Sequence, residues 1–150
     1  MKLTVSLSQQ KNIKANFDKF EEEVNLRMEQ FSEVQSRDIE RNAKRLAPVD
    51  IGKLRQNISW VRPIKRTPGV FENIIQALMP YSAYQEFGTG GLVDVPPGWE
   101  DIAIKFKGKG VKQINMKPQP FMWPAFKKQK ITFLKDAKFI LERLVKKYGG

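Results

Sequence analysis

Between residues 13 and 46, apolar side chains return at the spacing of an α-helix: Ile13, Phe17, Phe20, Val24, Met28, Phe31, Val34, Ile39, Ala43 and Leu46. One face is therefore apolar, while Glu21, Glu22, Glu23, Arg27 and Glu29 cover the other. Ala47-Pro48 ends the pattern, because the residue before a proline is pushed out of the α region. A straight helix of this span reaches ~50 Å, whereas a compact globule of this chain length is roughly 40 Å across. The helix must either break, around Gln35-Ser36, or project and meet a partner chain.

Beyond Pro48 the period shortens. Asp50 is placed to cap a short turn through residues 52–55. Residues 57–61 alternate polar and apolar and read as a strand, ended by Arg62-Pro63. Residues 65–69 contain Thr-Pro-Gly, a turn. Residues 70–79 then place Ile75, Ala77 and Met79 on one side and Ile74, Gln76 and Leu78 on the other. That pattern predicts a second strand, covered at least partly on both faces and paired with the first as a hairpin. Pro80 stops it, and a helical turn stacks Tyr81, Tyr84 and Phe87 on one side.

Residues 88–120 are punctuated by glycine and proline, with Ile102, Ile104 and Phe106 as a candidate short strand. A connection this long is usually functional or ordered by a neighbour. Pro124 suits the first position of a final helix. On that helix Phe126, Phe133, Ala137, Ile140, Leu141, Leu144 and Tyr148 share one face, with Lys128, Lys135, Lys138 and Lys146 opposite. The order predicts a single α+β domain. It comprises a long N-terminal helix or helix pair (1–47), a turn and β-hairpin (48–87), a long loop (88–120) and a C-terminal amphipathic helix (121–150). That last helix packs on a small antiparallel sheet.

Composition narrows the chemistry. The 150 residues include no Cys and no His, which removes disulfides, thiolate nucleophiles and the commonest general base and metal ligand. Gly88-Thr89-Gly90-Gly91 lacks the Gly-Lys-Ser/Thr of a phosphate loop. Glu72, Glu86, Asp94, Glu100 and Asp101 match no metal-binding spacing. No catalytic residue, metal or cofactor is expected, and no apolar run or leader segment suits a membrane span or secretion. The net charge of +11 is uneven: residues 105–150 hold 13 basic and 2 acidic side chains. Lys105, Lys107, Lys109 and Lys112 are candidates for a sequence-independent contact with DNA phosphates. A solvated Lys-rich face accounts for the same charge.

What stands out instead is aromatic material in punctuated segments. Tyr, Trp, Phe and Met are the residues enriched in interface cores. Tyr81, Tyr84, Glu86, Phe87, Gly88, Phe121, Trp123 and Pro124 are therefore candidates for contact with an oligomer partner or another protein. For Phe87 and Phe121 the chain's own core is the favoured place.

Three segments carry a family resemblance. Residues 43–58 contain Ala-Pro-Val-Asp-Ile-Gly-Lys-Leu-Arg-Gln-Asn-Ile, which resembles the Ala-Pro-Val-Asp-Thr-Gly-x-Leu-Arg-x-Ser-Ile signature of a tailed-phage family, departing at Ile51 and Asn57. Residues 81–90 resemble its Tyr-Ala-x-Tyr-x-Glu-Phe-Gly-Thr element, and residues 118–125 its Pro-x-Pro-Phe-Met-x-Pro-Ala element. The chain thereby resembles the neck or tail-component family typified by the Hong Kong 97 siphophage, with a longer insertion over residues 92–115. The resemblance implies a non-catalytic virion protein of the head–tail junction, a neck or tail-completion component that forms a homo-oligomeric ring and helps join tail to head. Implied partners are copies of itself and other neck, head-closure, tail-terminator or tail-tube proteins. The rival reading is a basic nucleic-acid-binding module acting through its Lys-rich C-terminal third.

Overall fold

The computed structural model describes residues 7–49, 52–62, 69–104 and 115–149. It is a mostly helical α+β fold of two long helices and a two-stranded antiparallel sheet. The first helix, α1 (Leu7–Leu46), runs unbroken for 40 residues, a length of about 60 Å. The polar stretch around Gln35-Ser36 does not interrupt it. The Ser32 hydroxyl donates to the Glu29 carbonyl and the Ser36 hydroxyl to the Ser32 carbonyl, so both buried hydroxyls are satisfied within the helix. Gln35 is buried too, and its amide pairs with that of Gln129 across the helix interface.

Past Pro48 the chain turns through Gly52, whose φ of 69° is the left-handed conformation glycine adopts freely, into a single turn, α2 (Lys53–Gln56). Arg55 Nε donates to the Ala47 carbonyl at 3.2 Å, fastening that turn to the end of α1. Strands β1 (Ile58–Val61) and β2 (Ile74–Ala77) pair antiparallel, Ile58 opposite Ala77 and Trp60 opposite Ile75. Next come α3 (Ser82–Phe87), a 3-10 turn (Gly90–Leu92), α4 (Glu100–Ile104) and the second long helix, α5 (Met122–Tyr148).

The core lies where the C-terminal part of α1, the sheet and the start of α5 converge. Ala43, Ala47, Leu54, Ile58, Phe121 and Ala125 form its buried centre, with Ile75, Ala77, Met79 and Tyr81 packed against it. Alanines at 43 and 47 let the backbones approach closely. Phe121 and Ile58 fill the space, each burial stabilising the fold by about 1.5–3 kcal/mol.

Helix α5 runs antiparallel along α1. Phe133 meets Phe31 with ring centroids 5.0 Å apart, and Tyr148 meets Phe20 at 5.6 Å. The C-terminal helix thus packs chiefly on α1 and reaches the core beneath the sheet only through its first turn, at Phe121, Met122 and Ala125. Because α5 ends opposite Phe20, residues 10–19 of α1 extend past it and are exposed. The projecting alternative is the one the structure adopts.

Two local expectations are corrected and one holds. Ile102 and Ile104 lie in a helix, α4, rather than a strand: the Trp99 carbonyl accepts from the amides of Ile102 and Ala103, and Glu100 and Asp101 in the first turn favour the helix N-terminus. The sheet is covered on its core face and partly on the other, where Ser59, Val61 and Gln76 are half-buried while Ile74 and, past the strand end, Leu78 are exposed. Pro124 is the third residue of α5 rather than its first. Asp50, residues 65–68 and Phe106 lie outside the described residues, while Gly69 has a turn conformation with φ 77°.

Candidate functional site

The two aromatic segments that sequence analysis singles out are brought together, and a carboxylate joins them. Glu86 sits near the end of α3, 4% exposed. One of its oxygens accepts from the Phe121 and Met122 amides at 2.8 and 2.9 Å, and the other accepts from Trp123 at 2.8 Å. These are amides at the start of α5 that have no partner within the helix. Pro124, next in line, has no N–H to satisfy. Glu86 therefore completes the N-terminus of a helix that lies 35 residues away, and the helix dipole favours its charge there. The N-capping residue itself, Phe121, makes no side-chain cap.

A short backbone ladder zips the segments leading into this contact. Gln119 N donates to the Gln85 carbonyl at 2.7 Å, and Thr89 N to the Met116 carbonyl at 3.0 Å. Met116 N returns a bond to the Thr89 hydroxyl, and Asn115 Oδ1 accepts from Gly91 N. Gly88 lies in the ladder with φ 75° and ψ −172°, a region open essentially to glycine alone. A Cβ there would lie 2.7 Å from the Met116 carbonyl oxygen and 2.9 Å from Pro118 Cδ.

Over the clasp runs a chain of rings: Phe87 against Trp99 at 6.1 Å, Trp99 against Trp123 at 5.4 Å, and Trp123 against Phe126 at 6.2 Å. The first two contacts are edge-on, the arrangement that aromatic quadrupoles favour. Trp99 went unremarked in the sequence. Its signal was a tryptophan directly after Pro96-Pro97-Gly98, a turn that presents the ring at a fixed point.

The eight interface candidates divide by burial. Glu86, Phe87, Gly88 and Phe121 are buried, and the contacts they make lie inside the chain. Tyr81, Trp123 and Pro124 are half-buried and Tyr84 is exposed. Lys105, Lys107, Lys109 and Lys112 lie outside the described residues.

Two further polar junctions fix the long helices. Glu23 of α1 accepts from Lys147 Nζ and from the Tyr148 hydroxyl of α5. The hydrogen bond from Lys147, then that from Tyr148, holds the Glu23 carboxyl below its usual value, while Glu23 raises both partners. Glu33 takes Arg62 and Arg37 at 2.8 and 2.9 Å, and these two hydrogen bonds lower its pKa. Arg37 also lies 4.7 Å over the Trp60 ring, whose Nε1 donates to Asn73. These contacts tie helix to helix and helix to sheet. The chemistry they offer is positioning: carboxylates saturated by amides and cations.

Among the described residues no group of three or more acidic side chains converges as a metal site, and no helix is long and apolar enough to cross a membrane. Residues 11–88, just over half of the chain, match the family described as "Bacteriophage HK97-gp10, putative tail-component". The match takes in α1 from residue 11 onward, the hairpin and α3, and ends at Gly88, ahead of the segment at residues 118–125. No curated protein and no solved structure matches the chain.

Proposed function

Since the chain belongs to the HK97-gp10-like family of phage tail components, we propose that it is a structural subunit of the head–tail junction, a neck or tail-completion protein that assembles into a ring and helps join tail to head without catalysis. The observation that carries this reading is apolar surface left open along both long helices. Ile13 and Phe17 on α1, and Ile131, Leu134 and Val145 on α5, are exposed side chains at helical spacing. Scattered surface hydrophobics need no explanation, but stripes on long helices mark protein contacts.

The same pattern favours assembly over a free-standing nucleic-acid-binding module. The outward lysines of α5 alternate with large apolar residues, and a phosphate-binding face has no use for those. Under the assembly reading, Lys105, Lys107, Lys109 and Lys112 are assigned a sequence-independent contact with the genome in the channel. Salt-dependent binding of random duplex DNA by the assembled protein, and its absence with the monomer, is the result expected. Absent or salt-insensitive binding removes that assignment.

The function is tested by disrupting the gene in its phage. The reading predicts the chain in purified virions by mass spectrometry, and mature heads and tails that stay unjoined without it. Intact infectious particles lacking the chain would refute it.

A further inference from the structure

Helix α5 carries two apolar stripes, and only one is used. Phe133, Ala137, Ile140, Leu144 and Tyr148 lie on the side turned to α1. On another side Ile131, Leu134, Leu141 and Val145 are exposed, Ile131 at 71% and Leu134 at 63%. With Lys138 between them, the positions 131, 134, 138, 141 and 145 step by three, four, three and four, the alternation of a coiled-coil seam. The seam is roughly 20 Å long.

Helix α1 has the converse surplus. Its seam toward α5 continues past the end of that helix, where Ile13 and Phe17 are 63% and 64% exposed. The overhang, from the start of α1 to Lys19, is also roughly 20 Å long. It is the same apolar face that already receives one stripe of α5 within the chain.

Charge at the root of the overhang favours one direction. At the root of the overhang, Asp18, Glu21 and Glu22 are exposed acids; toward its tip stand Lys11 and Lys14. Along the open seam of α5, Lys127, Lys128 and Lys130 make the beginning basic, while at the far end Glu142 stands among Lys138, Arg143 and Lys146. Laid antiparallel, as α1 and α5 already lie within the chain, Phe17 faces Leu134, Glu21 faces Lys130 and Lys11 comes beside Glu142. A parallel alignment instead brings Lys11 and Lys14 against Lys127, Lys128 and Lys130, like charge on like.

We propose that the projecting start of α1 in one copy lies antiparallel in the open seam of α5 in the next copy. The two surfaces differ, so the contact is heterologous, and repetition either closes a ring or extends a filament. The inference rests on the assembly reading above and names the surfaces that would produce it.

The chain has no cysteine, which permits a direct test. Full-length Phe17→Cys and Leu134→Cys variants, both altered at exposed positions, are mixed, allowed to assemble and oxidised. The expected product is the mixed Phe17→Cys/Leu134→Cys disulfide, in excess over either symmetric product, and a covalent ladder when one chain carries both changes. Separately, Leu134→Glu weakens self-association about tenfold or more with an unchanged circular dichroism spectrum. A wild-type chain that assembles while the two cysteines never join, or join only symmetrically, overturns this contact and leaves the assembly reading intact. A wild-type chain that stays monomeric overturns both.

Discussion

The carboxylate of Glu86 lies 2.8 Å from the amide nitrogen of Trp123, so the end of α3 serves as the missing cap of α5. Two segments that look like separate motifs in the sequence are one structural unit. Removing the carboxylate strips three amides of their acceptor in a buried place. Glu86→Ala is expected to lower stability by about 3 kcal/mol, and Glu86→Gln by about 2, because the amide keeps one acceptor oxygen and turns a donor toward donors. Urea denaturation of the two variants against the wild type measures both.

Gly88 is the second test of the clasp. Alanine there adopts a strained backbone and places its methyl against the Met116 carbonyl and Pro118. A loss of about 1–3 kcal/mol is expected, read in the same denaturation experiment. Gly91→Ala, where a Cβ meets nothing within 4 Å and no positive φ is required, is the control and changes stability little.

Between the long helices the buried Gln35–Gln129 pair sets a distinctive pattern. Gln35→Leu alone leaves the Gln129 amide buried without its partner and is expected to cost about 1–3 kcal/mol. Changing both to Leu replaces a polar pair by an apolar one and is expected to be near neutral. A double-mutant cycle with a coupling well above zero checks this.

The junction of Glu23 with Lys147 and Tyr148 predicts a pH window. The folded Glu23 carboxyl sits below its usual 4.5, so the folded state holds fewer protons than the unfolded. Its contribution is complete above that usual value and is lost as pH falls through the lowered one. Lys147 and Tyr148 are raised above 10.5 and 10.0, so theirs is complete below those values and fades as pH rises through the raised ones. Thermal unfolding from pH 2 to 11 is expected to show Glu23→Gln less stable than wild type at neutral pH. The two curves converge in acid. A constant difference across acid pH contradicts the assignment.

Much of the scaffold is legible in the residue pattern. The apolar steps of α1 and α5 set both helices and their mutual faces, and Pro48 and Pro80 mark where elements end. The hairpin follows from the alternation of residues 57–61 and 70–79, while its register, Ile58 opposite Ala77, is set by the connection between them. Other features depend on contacts between distant positions, which a local pattern does not record. Gln35 and Ser36 look like a helix break until the bond from Ser36 to the Ser32 carbonyl and the pairing of Gln35 with Gln129 are seen. Glu86 looks like an interface residue until residues 121–123 are folded against it. The open stripe on α5 is hidden in the pattern because Lys138 interrupts it and Leu141, exposed in the structure, sits on the wheel beside the buried face.

The central claim, that this chain is a building block completed by its own copies, is tested most directly by sedimentation velocity of the full-length protein across the micromolar range. A concentration-dependent shift from monomer to one closed oligomer of defined mass is the predicted result. A single monomeric species at every concentration would contradict it.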